Sequence, residues 1–240
     1  MKKLLLGAFV ALLPITGFSA TILGFQVGGG IWAHDPSGSI STTADGAGIN
    51  ANLSNQLGFS EEEESYVYAL LEHPVPLIPN FKFVNTQLTH SGTGNATFTF
   101  NSVPYALGVT TKLDLTQTDY ILYWEILDNV ISVDVGINAK MVDGQVVVDA
   151  DTTNFTGTLP MLYAAAEIML PSGFTVAAEV STVSASGNDF TDASAKVTYT
   201  TDFGLGVEAG LRTQSYTIDM DTVRANLEFS GIFAGAYYKF

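Results

Sequence analysis

A chain of 240 residues with 47% hydrophobic and 14% charged content suits a single domain. Nine basic residues against 24 acidic ones make a protein that repels phosphate backbones, which argues against a nucleic-acid partner. The absence of cysteine removes disulfides, thiolate metal sites and thiol nucleophiles from consideration.

The first twenty residues have the grammar of a secretory signal peptide. Lys2 and Lys3 form a positive start, Leu4 to Leu13 a short apolar stretch, and Thr16, Gly17, Phe18, Ser19 and Ala20 a mostly small-residue end. Cleavage after Ser19 puts small residues at both recognition positions; cleavage after Ala20 leaves Phe18 at the upstream one. Segment 1–20 is therefore expected to be removed, leaving 21–240 as the exported domain. Without Lys2 and Lys3, seven basic residues remain against 24 acidic, a net charge of −17.

Beyond the signal, no apolar run approaches the roughly 18 residues that a membrane-spanning helix needs. The pattern that follows has period two, the mark of strands with one apolar and one polar face. Strand 22–33 comes first, with Gly24, Gln26, Gly28, Gly30 and Trp32 on one face. Glycines facing a narrow interior leave room for bulky side chains from across it. Segment 34–64 reads as a mobile polar loop, with a short helix expected within 48–58 before the acidic run Glu61 to Glu64. Strands 65–74 and 80–90 flank a turn marked by Pro74, Pro76, Pro79 and Asn80.

After the polar stretch 91–111, strand 112–127 alternates Tyr120, Leu122, Trp124 and Ile126 with Ile121, Tyr123 and Glu125. Strand 131–142 sets Ile131, Val133, Val135, Ile137, Ala139 and Met141 against Ser132, Asp134, Gly136, Asn138 and Lys140. Strands 158–170, 173–184, 192–201, 204–216 and 224–240 continue the series. Their connections alternate between short turns and the longer polar stretches 143–157, 185–191 and 217–223. Strands of ten residues or more in this rhythm predict an all-β fold, a closed antiparallel up-and-down transmembrane β-barrel of about ten strands, with eight as the alternative.

Two stretches break the alternation. Lys112 and Asp114 share a face with Tyr120 and Leu122, and Arg224, Asn226 and Glu228 share the outward face of the last strand. Each requires a bulge or a strand that projects beyond the membrane. The inward faces collect Glu125, Asp134, Lys140, Glu167, Glu179, Lys196, Glu208 and Arg212. In so narrow a lumen these charges should pair into a network that plugs the barrel or lines a slender conduit.

The chain ends in Tyr237, Tyr238, Lys239 and Phe240, with Ile232, Ala234, Ala236, Tyr238 and Phe240 on one face. This end resembles the signal read by the bacterial barrel-assembly machinery, with Tyr238 and Phe240 as its aromatics. The start Thr21-Ile-Leu-Gly-Phe-Gln-Val-Gly-Gly-Gly-Ile-Trp32, the segment Glu72-His-Pro-Val-Pro-Leu-Ile-Pro-Asn-Phe81 and the terminal Tyr-Tyr-Lys-Phe240 together resemble a family of small outer-membrane β-barrels named for a Gly-Gly near the mature N-terminus. The resemblance spans essentially the whole mature chain. It implies an outer-membrane barrel of no established biochemical activity, with no catalytic residue to carry over.

The expected role is thus an integral outer-membrane barrel of structural or interaction type, or a narrow pore, lodged among outer-membrane lipid and lipopolysaccharide. One competitor is a secreted, lipocalin-like lipid carrier. The other is an outer-membrane hydrolase built on His34 with Asp35 or a later loop aspartate, which requires those groups within hydrogen-bond reach. His34, His73 and His90 are not expected to converge. Asp149 with Asp151, and Asp219 with Asp221, read as solvated acidic loops; no cofactor or metal is expected. A divalent cation bridging such loops to lipopolysaccharide phosphate is the functional variant of that reading.

Overall fold

The computed structural model describes residues 23–42, 49–75, 77–100, 103–220 and 223–240; the signal segment 1–20 lies outside them. The strands are β1 (Gly24–Thr42), β2 (Ile49–Asn52), β3 (Glu62–Glu72), β4 (Asn80–Thr86), β5 (Thr89–Thr93), β6 (Phe98–Phe100), β7 (Val103–Tyr105), β8 (Thr110–Asp128), β9 (Ile131–Val148), β10 (Asp151–Met169), β11 (Phe174–Ala185), β12 (Asn188–Thr200), β13 (Leu205–Met220) and β14 (Val223–Lys239). Successive neighbours pair antiparallel, and β14 returns to β1 from Gln26↔Lys239 to Thr42↔Val223, so the wall closes. Ten staves make the barrel, β4 and β5 forming one interrupted stave along β8. The alternative of eight is set aside. β2 pairs with the far part of β1, and β6–β7 is a separate small hairpin.

Parity along each strand sorts its side chains. Outward on β13 lie Leu205, Val207, Ala209 and Leu211, and outward on β14 lie Tyr238, Ala236, Ala234 and Ile232. Leu162, Leu211 and Ile232 are 69%, 62% and 65% exposed, large apolar side chains that water solvates poorly. Similar residues face out around the wall: Phe25, Ile31, Val67, Tyr120, Leu122, Trp124, Val135, Ile137, Val176 and Val197. This continuous apolar belt makes the fold a membrane barrel rather than a water-soluble lipid carrier, whose exterior must be polar.

Above the belt, away from the chain ends, the amphipathy reverses. On β8, Leu113 and Leu115 are buried inside while Lys112 and Asp114 face out. On β14, Ala225, Leu227 and Phe229 fill the interior while Asn226 and Glu228 are exposed. Both breaks in the sequence pattern therefore mark strands that outgrow the belt in unbroken register. Water, not lipid, then bathes the outer face, and the lumen becomes an ordinary hydrophobic core. Burial pulls the Asp114 carboxyl upward, but the Thr116 hydroxyl and amide, helped by Lys112, hold it below its usual value. The only register shift along β8–β9 lies at the other end, between Glu125 and Leu127.

The same reversal corrects the loop assignments. Segments 143–157 and 185–191 are mostly strand, since β9–β10 and β11–β12 turn only at Asp149-Ala150 and Ser186-Gly187. Their polarity reflects solvated hairpin faces. The expected helix within 48–58 is replaced by β2 and a run of turns, in which Gln56 and Leu57 donate their amides to the Asn52 carbonyl at 3.1 Å. Leu53, Leu57 and Phe59 drop from those turns into the barrel mouth, so their spacing serves a cap instead of a helix face.

The belt makes a direct prediction. Val207→Arg, facing lipid, should cost about 2–4 kcal/mol of folding free energy into bilayers, and Ser215→Arg, above the belt on the same face, about 0–1 kcal/mol. Equilibrium denaturant titration in lipid vesicles measures both.

Candidate functional site: a layered lumen

The interior is stratified from the end carrying both termini to the far end. At the near mouth, Glu72, Glu125, Asp134 and Glu167 surround a cavity of about 100 Å³. Tyr123 donates its hydroxyl to Glu72 at 3.1 Å, and Asn80 donates its amide to Glu125 at 3.1 Å. Among the described residues, none of these four carboxylates pairs with a lysine or arginine.

A first charged layer crosses the lumen above this mouth. Lys82 of β4 reaches across to Glu179 of β11, which also accepts from Tyr163 at 3.2 Å and Ser194 at 3.4 Å. Lys196 donates to Glu208 at 3.0 Å, and Tyr66 of β3, three staves away, donates to the same carboxylate at 2.7 Å. Tyr68 lies flat over β1, where a Cβ on Gly28 would come within 2.5 Å of its ring. That is the physical use of the glycine-rich start: one wall gives up its side chains so that tyrosines from the next can fill the lumen.

Beyond a second cavity of about 80 Å³ lies another charged layer. Arg212 forks onto Asp192 through Nε and Nη2 at 2.9 and 2.7 Å, and donates Nη1 to Thr86 at 3.0 Å. Lys140, 1% exposed, donates to Asp192 at 2.9 Å, Asp119 at 3.0 Å and Gln117 at 2.6 Å, using all three of its hydrogens. Gln117 passes its own amide to Gln214 at 2.7 Å, and Gln214 donates back to Asp192 at 2.9 Å. The four interior cations thus meet four anions, Glu179, Glu208, Asp192 and Asp119, which balances the charge that burial would otherwise penalise.

An aromatic cap closes the far end. The Arg212 guanidinium stacks 5.1 Å from the centre of the fully buried Trp32 ring. Above it, His34 and His90 meet edge to face with ring centres 4.8 Å apart, backed by Phe229 and Leu88. His90 Nδ1 lies 3.1 Å from the Ser60 carbonyl, which can only accept, so that nitrogen carries the proton.

Of the sequence-predicted lumen residues, Lys140, Glu179, Lys196, Glu208 and Arg212 stand in the two charged layers. Glu125, Asp134 and Glu167 stand apart at the near mouth. Sequence reasoning missed Lys82, Asp119 and Asp192, though each keeps the inward parity of its strand. It also kept the histidines apart: His34 and His90 converge, whereas His73 stays in the proline turn, its ring bound to the Pro79 carbonyl and the Val75 amide. The supposed rim hydrolase pair is not assembled. The His34 ring is buried among Trp32, His90 and Phe229, and no carboxylate among the described residues bonds to it. Asp219 is held by Arg224 at 2.8 Å. At the chain end, Phe240 packs on Tyr238 and Phe25 at ring distances of 4.7 and 5.5 Å, and its amide donates to the Phe25 carbonyl.

Removing one member of so buried a set leaves the others uncompensated. Lys140→Met should cost about 3–5 kcal/mol, against less than about 1 kcal/mol for Lys112→Met on the solvated face. Urea titration followed by tryptophan fluorescence compares them.

No protein-family model and no curated protein matches the chain. Solved structures do resemble it in fold. The outer-membrane protease OmpT from Escherichia coli aligns over 93% of this chain and 98% of its own, at 11% identity and a TM-score of 0.49. OprG from Pseudomonas aeruginosa covers 90% and 95% at 12% identity and a TM-score of 0.37. Ail of Yersinia pestis covers 91% and 99% at 9% identity and a TM-score of 0.36. At such identities these likenesses concern architecture alone, and the closed barrel is shown by this chain's own register.

Proposed function

We propose that this protein is an integral barrel of the bacterial outer membrane with a closed lumen, a structural or interaction protein that works at its far surface rather than by conduction. The observation that carries this reading is the series of obstructions inside: two charged layers, each bonded across the lumen, beneath an aromatic cap with Trp32 fully buried. The reading keeps the chain beside the small barrels whose Gly-Gly start it resembles.

Biogenesis through the assembly machinery would rest on the terminal strand. Tyr238 and Phe240 present adjoining aromatic rings on its lipid-facing side. Contact with lipopolysaccharide would depend on divalent cations. Of seven basic residues after position 20, Lys82, Lys140, Lys196 and Arg212 face the lumen, Lys239 lines the near mouth, and the outer Lys112 and Arg224 are already bonded to Asp114 and Asp219. Phosphate groups would therefore meet an acidic exterior, which a bridging cation reconciles.

In planar bilayers the purified barrel should give no discrete conductance steps; a steady open channel would overturn the closed-lumen reading. Deleting Tyr238 to Phe240 should abolish the heat-modifiable folded form in outer-membrane fractions. Undiminished assembly would show that the terminal aromatics are not the signal.

A further inference from the structure

Pairing between β10 and β11 runs from Met169↔Thr175 to Leu162↔Thr182 and stops there. Both strands continue beyond it. β10 stays paired with β9 as far as Asp151↔Val148, and β11 with β12 as far as Ala185↔Asn188. Residues 151–161 of β10 therefore have a partner on one side only.

The break has two causes: in this register Ala185, the last residue of β11, would stand opposite Leu159, and within that reach the β11 side of β10 lacks a donor. The Met169 amide donates to Val130, on the β9 side, and the Leu170 amide donates to Phe174, on the β11 side. Backbone groups alternate sides along an antiparallel ladder, so even-numbered residues of β10 turn theirs towards β11. Pro160 is the next even residue above Leu162, and it has no N–H to give. Beyond it, the N–H and C=O groups of Thr152, Asn154, Thr156 and Thr158 point away from β9 with no strand to receive them.

Natural edges are usually blunted by charged side chains, prolines or bulges. Beyond Pro160, residues 152–159 contain neither charge nor proline, and the β9–β10 register has no shift. The odd-numbered face adds a second feature. Phe155 turns its ring over Gly144 of β9, where a Cβ would meet it at 2.2 Å, and a Cβ placed on Gly157 would meet nothing within 4 Å, so no bulky side chain covers the free edge there.

We propose that the free edge of β10 receives an extended segment of another protein by strand addition. Its backbone would bond to Thr152, Asn154, Thr156 and Thr158, and its alternate apolar side chains would lie over Gly157 beside Leu159. Backbone groups supply the affinity, and the uncovered space at Gly157 admits those side chains. A second copy in the same membrane fits less well: both barrels share one orientation, so their β10 edges would run parallel, the weaker ladder. The proposal rests on the reading of a barrel that works at its far surface.

The test uses the full-length barrel in nanodiscs and a fluorescent octapeptide alternating valine with threonine or lysine. In the free protein, hydrogen exchange should be fast at Thr152, Asn154, Thr156 and Thr158 and slow at Thr153, Phe155 and Gly157. The peptide should slow the even-numbered set at least about tenfold. Thr156→Pro, which removes an edge amide without touching the β9 ladder, should abolish peptide binding, and Thr156→Val should keep it. Even-numbered amides that stay fast in millimolar peptide would overturn the proposal. So would protection without peptide, whether in a monomer or in a dimer, the dimer placing a second copy on the edge. Conductance separates this from the functional reading: an open channel with a peptide-protected edge would sink only the closed lumen.

Discussion

The ladder between β1 and β14 is the constraint from which the other features follow. Within hydrocarbon there is no water to satisfy a stray N–H or C=O, and each unsatisfied group costs several kcal/mol. The sheet must therefore close, and Gln26↔Lys239 through Thr42↔Val223 closes it. Phe240 extends the seam by one bond, its amide reaching the Phe25 carbonyl at 2.8 Å. Closure with ten staves also sets a width that interior side chains nearly fill.

That width decides the chemistry inside. Inward positions in the belt must be polar or small, because the outward positions have taken the apolar residues. Polar groups in a narrow, dry interior must bond to one another. Glycines on β1 answer tyrosines on β3, and lysines on β4, β9 and β12 answer carboxylates on neighbouring or opposite staves. The charged layers use four of the seven cations available after position 20 and the near mouth a fifth, Lys239, which leaves the exterior acidic. The near mouth keeps its four carboxylates around a cavity of about 100 Å³, where Tyr123 and Asn80 bond to two of them.

Parity made most of this legible. A residue's face follows from counting by two, so the belt, the crossing strands and the inward set from Lys140 to Arg212 could be read directly. What parity cannot supply is a partner. His34 and His90 lie on staves that pair with β14 and β8, and nothing local ties them together. Lys82 and Asp192 fall near the starts of the expected strands 80–90 and 192–201, where a charge also reads as the end of a loop. The far hairpins are not legible while hydrophobicity is taken to mean the same thing along the whole strand. Leu113 and Leu227 obey the strand period as strictly as Leu211 does. Only the solvent outside has changed, and with it which face must be apolar.

The solvent boundary also explains why a closed barrel can carry an open edge. Inside the belt, pairing is compulsory on every side. Above it, an exposed amide bonds to water, and a strand can outgrow its neighbour at little cost. Pro160 sits at that transition, where the β11 side of β10 first tolerates a missing donor. A proline two residues lower, at Leu162, would break the last pair of the β10–β11 ladder at the rim of the belt. At 160 it ends the seam, and the turn of β11 at Ser186-Gly187 leaves the longer hairpin above it free. The chemistry that forbids an edge within the membrane thus permits one outside it, and one proline together with one early turn sets where the change occurs.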